Sequence, residues 1–345
     1  MLNRRTFLAG ATTALALAAT GCATATATSP SPSATASASA TAPLATPTIG
    51  LTYIPNVQFS PFYVAEADQL FTAAGVKPTL RHHGASEGLF TALAAGEEQF
   101  VIAGGDEVLQ ARSADLPLVA VSAYYRSYPV VIIVPADSGI TTLAGLKGRT
   151  IGVPGKYGES WFGLLVALQT AGLTAADVTV QEIGYTQQAA LTTKKVDAIV
   201  GFSNNDSVQF AQAGFATRNL PIADGDVPLV GICLITTAAY ATDNPATVKA
   251  VAAGMLAGIS AVVADPDRAL TVSAEYVPGL NAAAAQASAK ATLTATLPLW
   301  TGSDGTVDGQ LDPAQWTAMA DFMAATGLTA TKVDPTPAYS NGYLG

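Results

Sequence analysis

The chain is short of charge. Lys, Arg, Asp and Glu make up 12% of its 345 residues, where ordinary soluble domains carry about 25%. Such scarcity raises the possibility of a membrane protein, but a spanning helix needs roughly 20 continuous apolar residues. Only the N-terminus approaches such a run, and it is too short. Later uncharged stretches, such as Ala250 to Ala264, are short and built largely from Ala, Gly and Ser. Cations are scarcer still, at 16 against 25 acids, for a net charge of −9. Phosphate backbones are held by clustered Lys and Arg, so nucleic acid is excluded as a partner. The only histidines are His82 and His83, and the only cysteines are Cys22 and Cys233. Neighbouring residues on a strand point to opposite faces, so the histidine pair does not make a metal site. No metal and no cofactor are expected.

Among what is present, the N-terminus is an address. Arg4 and Arg5 precede an apolar run from Phe7 to Ala19, and Thr20-Gly21-Cys22 follows. A charged start, a short apolar stretch and small residues before a break make a secretory signal over residues 1–21. Arg-Arg-Thr-Phe-Leu resembles a twin-arginine signal. Small residues before Cys22 resemble a bacterial lipoprotein cleavage site, although Ala19 stands where leucine is usual. Lipidation of Cys22 anchors the chain to the outer face of the cytoplasmic membrane. It also leaves Cys233, in the apolar run Val227 to Ala239, as a small buried hydrophobe without a disulfide partner. Residues 22–47 are mostly Ala, Thr, Ser and Pro without charge, which cannot bury a core and reads as a disordered tether.

From Thr48 onward strand and helix signals alternate, which means parallel α/β units. Expected strands are Thr48 to Ile54, Thr79 to His82, Gln99 to Ala103, Leu118 to Tyr124 and Val130 to Val134. Helices are expected from Pro61 to Ala74, Ser86 to Ala95 and Glu107 to Ala114, the last capped by Asp106. The pattern restarts with strands at Thr150 to Val153, Val178 to Ile183 and Val196 to Phe202, and a helix at Ser160 to Ala171. After the apolar strand Val230 to Thr236 the chain turns helical, with Asn244-Pro245 and Asp312-Pro313 opening helices. One α/β unit thus sits inside another. Lobe 1 holds residues 48–135 and 232–345, lobe 2 holds 136–231, and two crossings near Val134 and Gly231 form a hinge around a ligand cleft.

Gly84-Ala-Ser86-Glu-Gly88 matches the nucleophile elbow of a serine hydrolase. Such a triad needs its histidine after the serine, and both histidines precede it. Ser86 therefore reads as a helix cap whose N–H groups face the cleft, and the chain is expected not to be an enzyme, with an extracytoplasmic serine hydrolase using Ser86 as the alternative. Gly155-Lys-Tyr157-Gly-Glu-Ser-Trp161 lacks the signature of a phosphate loop. It offers close backbone approach and two aromatic faces, Tyr157 and Trp161, for stacking a flat ring. Ser203-Asn204-Asn205-Asp206-Ser207 follows a strand, where open α/β sheets bind ligands. Asn56, Phe59, Asp106 and Tyr125 lie at or near equivalent strand ends, and Trp300 lies in a tail loop over the cleft or in the core. Few cations stand among these residues, which favours a neutral aromatic ligand over phosphate, sulfate or an amino acid. Asn56, Asp106, Asn204 and Asn205 can read the ring's edge.

Four stretches, Gly50-Leu-Thr-Tyr-Ile-Pro-Asn56 through Ala65, Ala103-Gly-Gly-Asp-Glu107 through Arg112, Gly145 through Pro154, and Val196 through Asn205, carry a family resemblance. They resemble the ABC-importer solute-binding proteins related to thiamine-pyrimidine synthase, a superfamily that includes riboflavin, alkanesulfonate and nitrate binders. The resemblance implies a type II periplasmic-binding fold, a permease and an ATPase as partners, and a monomer. It also implies that Asn56 touches the ligand. Pyrimidine-precursor binders resemble each other in a carboxylate four residues after the loop tyrosine; here that position is Trp161, which suits a broader ring such as a flavin. The synthase's cysteine-rich iron motif is lacking. The expected ligand is a riboflavin-like flavin or a thiamine pyrimidine precursor, with an alkanesulfonate or nitrate as the rival.

Overall fold

The computed structural model describes residues 43–84, 87–302 and 304–345. The signal, Cys22 and Ser86 lie outside the described residues. Ordered chain begins ahead of Thr48: Ala45 bridges to Val76, and the Thr79 N–H donates to the Pro47 carbonyl at 2.9 Å. The last residues assigned to the tether are thus part of the fold.

Two five-stranded sheets are built on one plan. The first contains β1 (Thr48–Leu51), β2 (Thr79–His82), β3 (Phe100–Gly104), β4 (Leu118–Ala123) and β10 (Ile232–Thr237), in the order β2-β1-β3-β10-β4. The second contains β5 (Val130–Pro135), β6 (Thr150–Val153), β7 (Thr179–Glu182), β8 (Ala198–Phe202) and β9 (Thr217–Pro221), in the order β7-β6-β8-β5-β9. In each, three strands run parallel and a fourth lies antiparallel beside the third. That fourth strand is β10 in the first sheet and β5 in the second, the two strands that adjoin the crossings. This is the type II periplasmic-binding fold, α/β with two lobes and a two-crossing hinge.

The first crossing corrects the expected boundary. Val130–Pro135 pairs with β8 and β9 of the second sheet, so the chain changes sheets between Ala123 and Val130, not after residue 135. The strand is an apolar run buried on both faces, which suits either sheet, and only its pairing decides. The expected helix Pro61 to Ala74 is also two helices, α1 (Ser60–Ala67) and α2 (Leu70–Ala74), broken where Gln69 takes φ 57°. The helix α3 is confined to Thr91–Ala95. The strand β9, TRNLP, has no apolar alternation and is an edge strand.

Four further helices follow the strands at the cleft, α4 (Gly105–Ser113), α5 (Gly158–Thr170), α6 (Gln187–Thr192) and α7 (Asp206–Gln212), and α8 (Ala238–Asp243) follows β10 at the other end of its sheet. The tail adds α9 (Pro245–Ala264), α10 (Pro266–Ser273), α11 (Ala283–Trp300) and α12 (Pro313–Ala325). By length and composition α9 could cross a membrane. Its Val248, Val251, Met255, Ile259 and Val262 recur at helical spacing and are buried, and the helix packs on α1 and α2. That is the stripe of a core helix. Gly258 brings its backbone against the Pro61 carbonyl of α1.

Candidate functional site

A cleft of about 580 Å³ opens where the carboxyl ends of both sheets' strands face one another. Open α/β sheets bind ligands at such ends. Thr52 and Tyr53 follow β1, His83 and Gly84 follow β2, and Glu107 follows β3 within α4. From the second sheet, Pro154 and Tyr157 follow β6, Tyr185 follows β7, and Asn205 and Asp206 follow β8.

The walls are aromatic. Tyr53 of the first half and Tyr185 of the second meet edge to face across the cleft, ring centres 5.2 Å apart. Tyr124 and Tyr125 stack at 5.1 Å on the inner wall, and Phe59 and Phe90 line the first-sheet side. Tyr157 is 57% exposed at the mouth. Trp300 is the last residue of α11 and is buried behind Tyr124 and Tyr125, so it belongs to the core and not to a cover.

The floor is acidic. Asp106 and Glu107 begin α4, and Glu159 begins α5. The two helix starts come close because two glycines leave room. A Cβ on Gly158, whose φ is +68°, would lie 2.8 Å from Glu107 Oε1, and one on Gly104 would lie 3.0 Å from Glu159 Cγ. The Glu107 carboxylate accepts the Gly104 N–H at 2.8 Å, and Asp106 Oδ1 accepts the Glu107 N–H at 2.8 Å. The Tyr128 hydroxyl, on the crossing segment, lies 2.7 Å from Asp106 Oδ2 and 2.9 Å from the Glu159 carbonyl. Glu159 Oε1 is buried and has no partner. Burial pushes all three carboxyls up, and for Glu107 and Glu159 the neighbouring carboxylates add to it. Asp206, which accepts the Phe202 N–H at 2.7 Å, is raised by burial to about 6. Among the described residues lining the cleft there is no Lys or Arg.

The structure brings together Phe59, Tyr125, Tyr157 and Asn205 in the cleft wall. Asp106 lies just behind it, fully buried, and Asn204 lies beneath, donating to Thr296 Oγ1 at 3.0 Å and to the Tyr125 hydroxyl at 3.4 Å. Asp106 does not cap α4 from outside; it sits in the first turn, and Glu107 closes the start on Gly104. Asn56 is elsewhere. Its side chain accepts the Gln58 N–H at 3.0 Å, and it borders a separate groove of about 470 Å³ with Gln188, Gln209 and the Val277–Leu280 segment. Trp161 is half-buried and packs against the core, not the cleft. A helix start exposes its first turn to the cleft and turns the next residues away, which is why Glu159 faces in.

The two histidines take different partners. His82 bonds the Tyr63 hydroxyl and the Tyr53 carbonyl, both at 2.9 Å, and His83 bonds Glu98 at 3.0 Å. Cys233 lies buried in β10, its thiol pushed up by burial. The sequence reading passed over Glu107, Glu159, Tyr53 and Tyr185. Each stands at a strand's carboxyl end or in the first turn of the helix after it, so the strand-end rule applied without preference for amides finds all four.

Comparison with known proteins places these features. The family described as NMT1/THI5 like matches residues 56–269. The riboflavin-binding protein RibY of Chloroflexus aurantiacus is 32% identical over 316 residues, covering 88% of each chain. The formylaminopyrimidine-binding protein of Halalkalibacterium halodurans is 24% identical over 284 residues, covering 82% of this chain and 86% of that one. Among solved structures, the alkanesulfonate-binding protein SsuA of Xanthomonas axonopodis, bound to MOPS, superposes with a TM-score of 0.67 at 22% identity, over 86% of this chain and 98% of that one.

Proposed function

This chain belongs to the NMT1/THI5-like family, and we propose that it captures a neutral, flat nitrogen heterocycle, riboflavin foremost, for an ABC importer. The observation that carries the reading is the cleft: aromatic walls, a carboxylate floor and no lining cation among the described residues. Aromatic faces hold a conjugated ring by stacking. Buried carboxyls take hydrogen bonds from ring N–H groups and hydroxyls, and they offer an anion no countercharge. Likeness to RibY over most of both chains points the same way.

Tyr53, Tyr157 and Tyr185 enclose the ring, and Glu107, Glu159 and Asn205 bind its edge. Tyr125 closes the inner wall and is held from behind by Asn204. The mechanism is capture, closure of the two halves about the crossings, and delivery to a permease with its ATPase. No bond is made or broken. The chain acts as a monomer outside the cytoplasm, held by a lipid on Cys22 after removal of residues 1–21. Loss of membrane association in Cys22→Ser tests the anchor.

A formylaminopyrimidine is the second reading. The unpartnered Glu159 Oε1 suits an exocyclic amino group, although the carboxylate stands two residues after Tyr157 and not four. Calorimetry with riboflavin, formylaminopyrimidine, taurine and nitrate decides among them. Tight binding of taurine or nitrate alone refutes the heterocycle reading.

A further inference from the structure

Two helix starts, of α4 and α5, point into the cleft. Free helix starts are ready anion sites, because their first N–H groups lack partners within the helix and their dipoles favour negative charge. Here the chain supplies the negative groups itself. Glu107 occupies the Gly104 N–H at 2.8 Å, and Asp106 occupies the Glu107 N–H at 2.8 Å. Glu159, in the first turn of α5, is 9% exposed and lines the cleft with Oε1 unpartnered. It is a buried carboxyl in the cleft wall with one oxygen left unpartnered.

The surrounding charges reinforce this. Glu87 from the first half and Asp206 from the second also line the cleft. The guanidinium of Arg81, which pairs with the lining residue Glu87, is already committed to Glu87 and Glu98, each at 2.5 Å. His83 is tied to Glu98 as well. A phosphate monoester carries about −1.5 to −2 charge at neutral pH. Inside this cleft it finds no cation, must displace Glu107 from its N–H, and meets a carboxyl from either half.

We infer that Glu107 and Glu159 are specificity-determining residues that admit the uncharged, hydroxyl-bearing form of the ligand and exclude its phosphate ester. The inference rests on the heterocycle reading above and deepens it. Glu107 denies an anion the α4 amides. Glu159 offers a buried oxygen to a donor and brings a phosphate no countercharge. Inorganic phosphate and simple sulfonates are rejected on the same grounds.

The test is titration calorimetry of the full folded protein with two matched pairs: riboflavin and its 5′-phosphate, and a hydroxymethyl aminopyrimidine and its phosphate. The unphosphorylated member of one pair is expected to bind at least about a hundredfold more tightly, the scale of a charge taken out of water without a partner. Glu107→Gln with Glu159→Gln is expected to narrow that ratio at least about tenfold, chiefly by strengthening the phosphate's binding. Glu159→Gln alone, which leaves the α4 cap intact, is expected to narrow it part of the way and serves where the double variant does not fold. Equal affinity within the pair that binds, or an unchanged ratio in Glu159→Gln, overturns the inference and leaves the heterocycle reading standing. Failure of both unphosphorylated compounds to bind overturns that reading and, with its premise gone, this inference.

Discussion

Replacing Asp106 with Asn tests where a buried proton resides. The Tyr128 hydroxyl has one proton and two acceptors in reach, Asp106 Oδ2 at 2.7 Å and the Glu159 carbonyl at 2.9 Å. An ionised Asp106 takes that proton, and the carbonyl then receives nothing from the hydroxyl. A protonated Asp106 donates to the hydroxyl, which then donates to the carbonyl, and both short contacts are hydrogen bonds. Burial is the largest cause raising this carboxyl, to about 7, against the pull of the Tyr128 hydroxyl and the Glu107 N–H. In the unfolded chain an aspartate ionises near ~3.9. Between these values the folded state binds one more proton than the unfolded, so stability falls as pH rises, by about 1.4 kcal/mol per pH unit. From pH 5 to pH 7 that is roughly 3 kcal/mol. An Asn side chain carries the donor permanently. Asp106→Asn is therefore expected to match the wild type near pH 5 and to exceed it by about 2–3 kcal/mol at pH 7. Glu107 and Glu159 slope the same way, less steeply in Asp106→Asn, where the neighbouring carboxylate that helps raise them is gone; His82, depressed chiefly by burial, slopes the other way below its ordinary value in both proteins. The difference between the two proteins therefore reports Asp106 together with its coupling to the two glutamates. Urea unfolding at pH 5, 6 and 7, followed by circular dichroism, measures it. Parallel stability curves, or an Asn variant weaker at pH 7 than at pH 5 relative to wild type, refute the protonated Asp106.

Trp161→Ala is expected to leave ligand affinity within twofold by calorimetry while lowering stability by about 2–4 kcal/mol, the cost of a large side chain lost from packing. A tenfold loss of affinity would return the residue to the cleft. Tyr185→Ala removes one half of the edge-to-face pair with Tyr53 and is expected to weaken heterocycle binding by about tenfold, from an aromatic contact of ~0.5–1.5 kcal/mol and lost enclosure. Unchanged affinity would show that the pair does not close on the ligand. Gly258→Ala sets a methyl against the Pro61 carbonyl and is expected to cost about 1–3 kcal/mol in chemical unfolding without altering affinity.

Much of the frame was legible because parallel strands are short apolar runs with helices between them. Thr79–His82 and Thr150–Val153 have the expected bounds, and the restart of the pattern announced a second sheet. Three features were not legible, each for a physical reason. The sheet to which Val130–Pro135 belongs depends on its partners, and an apolar run fits either. The break at Gln69 needs a positive φ that no glycine advertises. The edge strand Thr217–Pro221 lacks the apolar pattern because one side of it has no neighbour. For the site, amides and aromatics were sought as ligand-reading groups, and Phe59, Tyr125, Tyr157 and Asn205 do line the cleft. Acids at helix starts look from sequence like ordinary partners of the dipole. Only packing reveals that the starts of α4 and α5 face each other, so that Asp106, Glu107 and Glu159 lie close together.

That shared space bears on how one fold serves opposite solutes. The backbone aims helix starts at the cleft whatever the side chains, and a bare start attracts anions. The same fold houses an alkanesulfonate-binding protein that superposes over most of this chain. In this chain α4, α5 and α7 each carry a carboxyl in the first turn, at Asp106 and Glu107, at Glu159 and at Asp206. The first-turn positions that an anion would use are thereby taken by the chain's own carboxyls. Burying these acids together raises them all, a cost in stability at neutral pH that no packing argument requires. A merely structural cap would be served by Ser or Thr without it. The proposed ligand, which brings donors and no charge, gives these acids a reason that a structural cap does not.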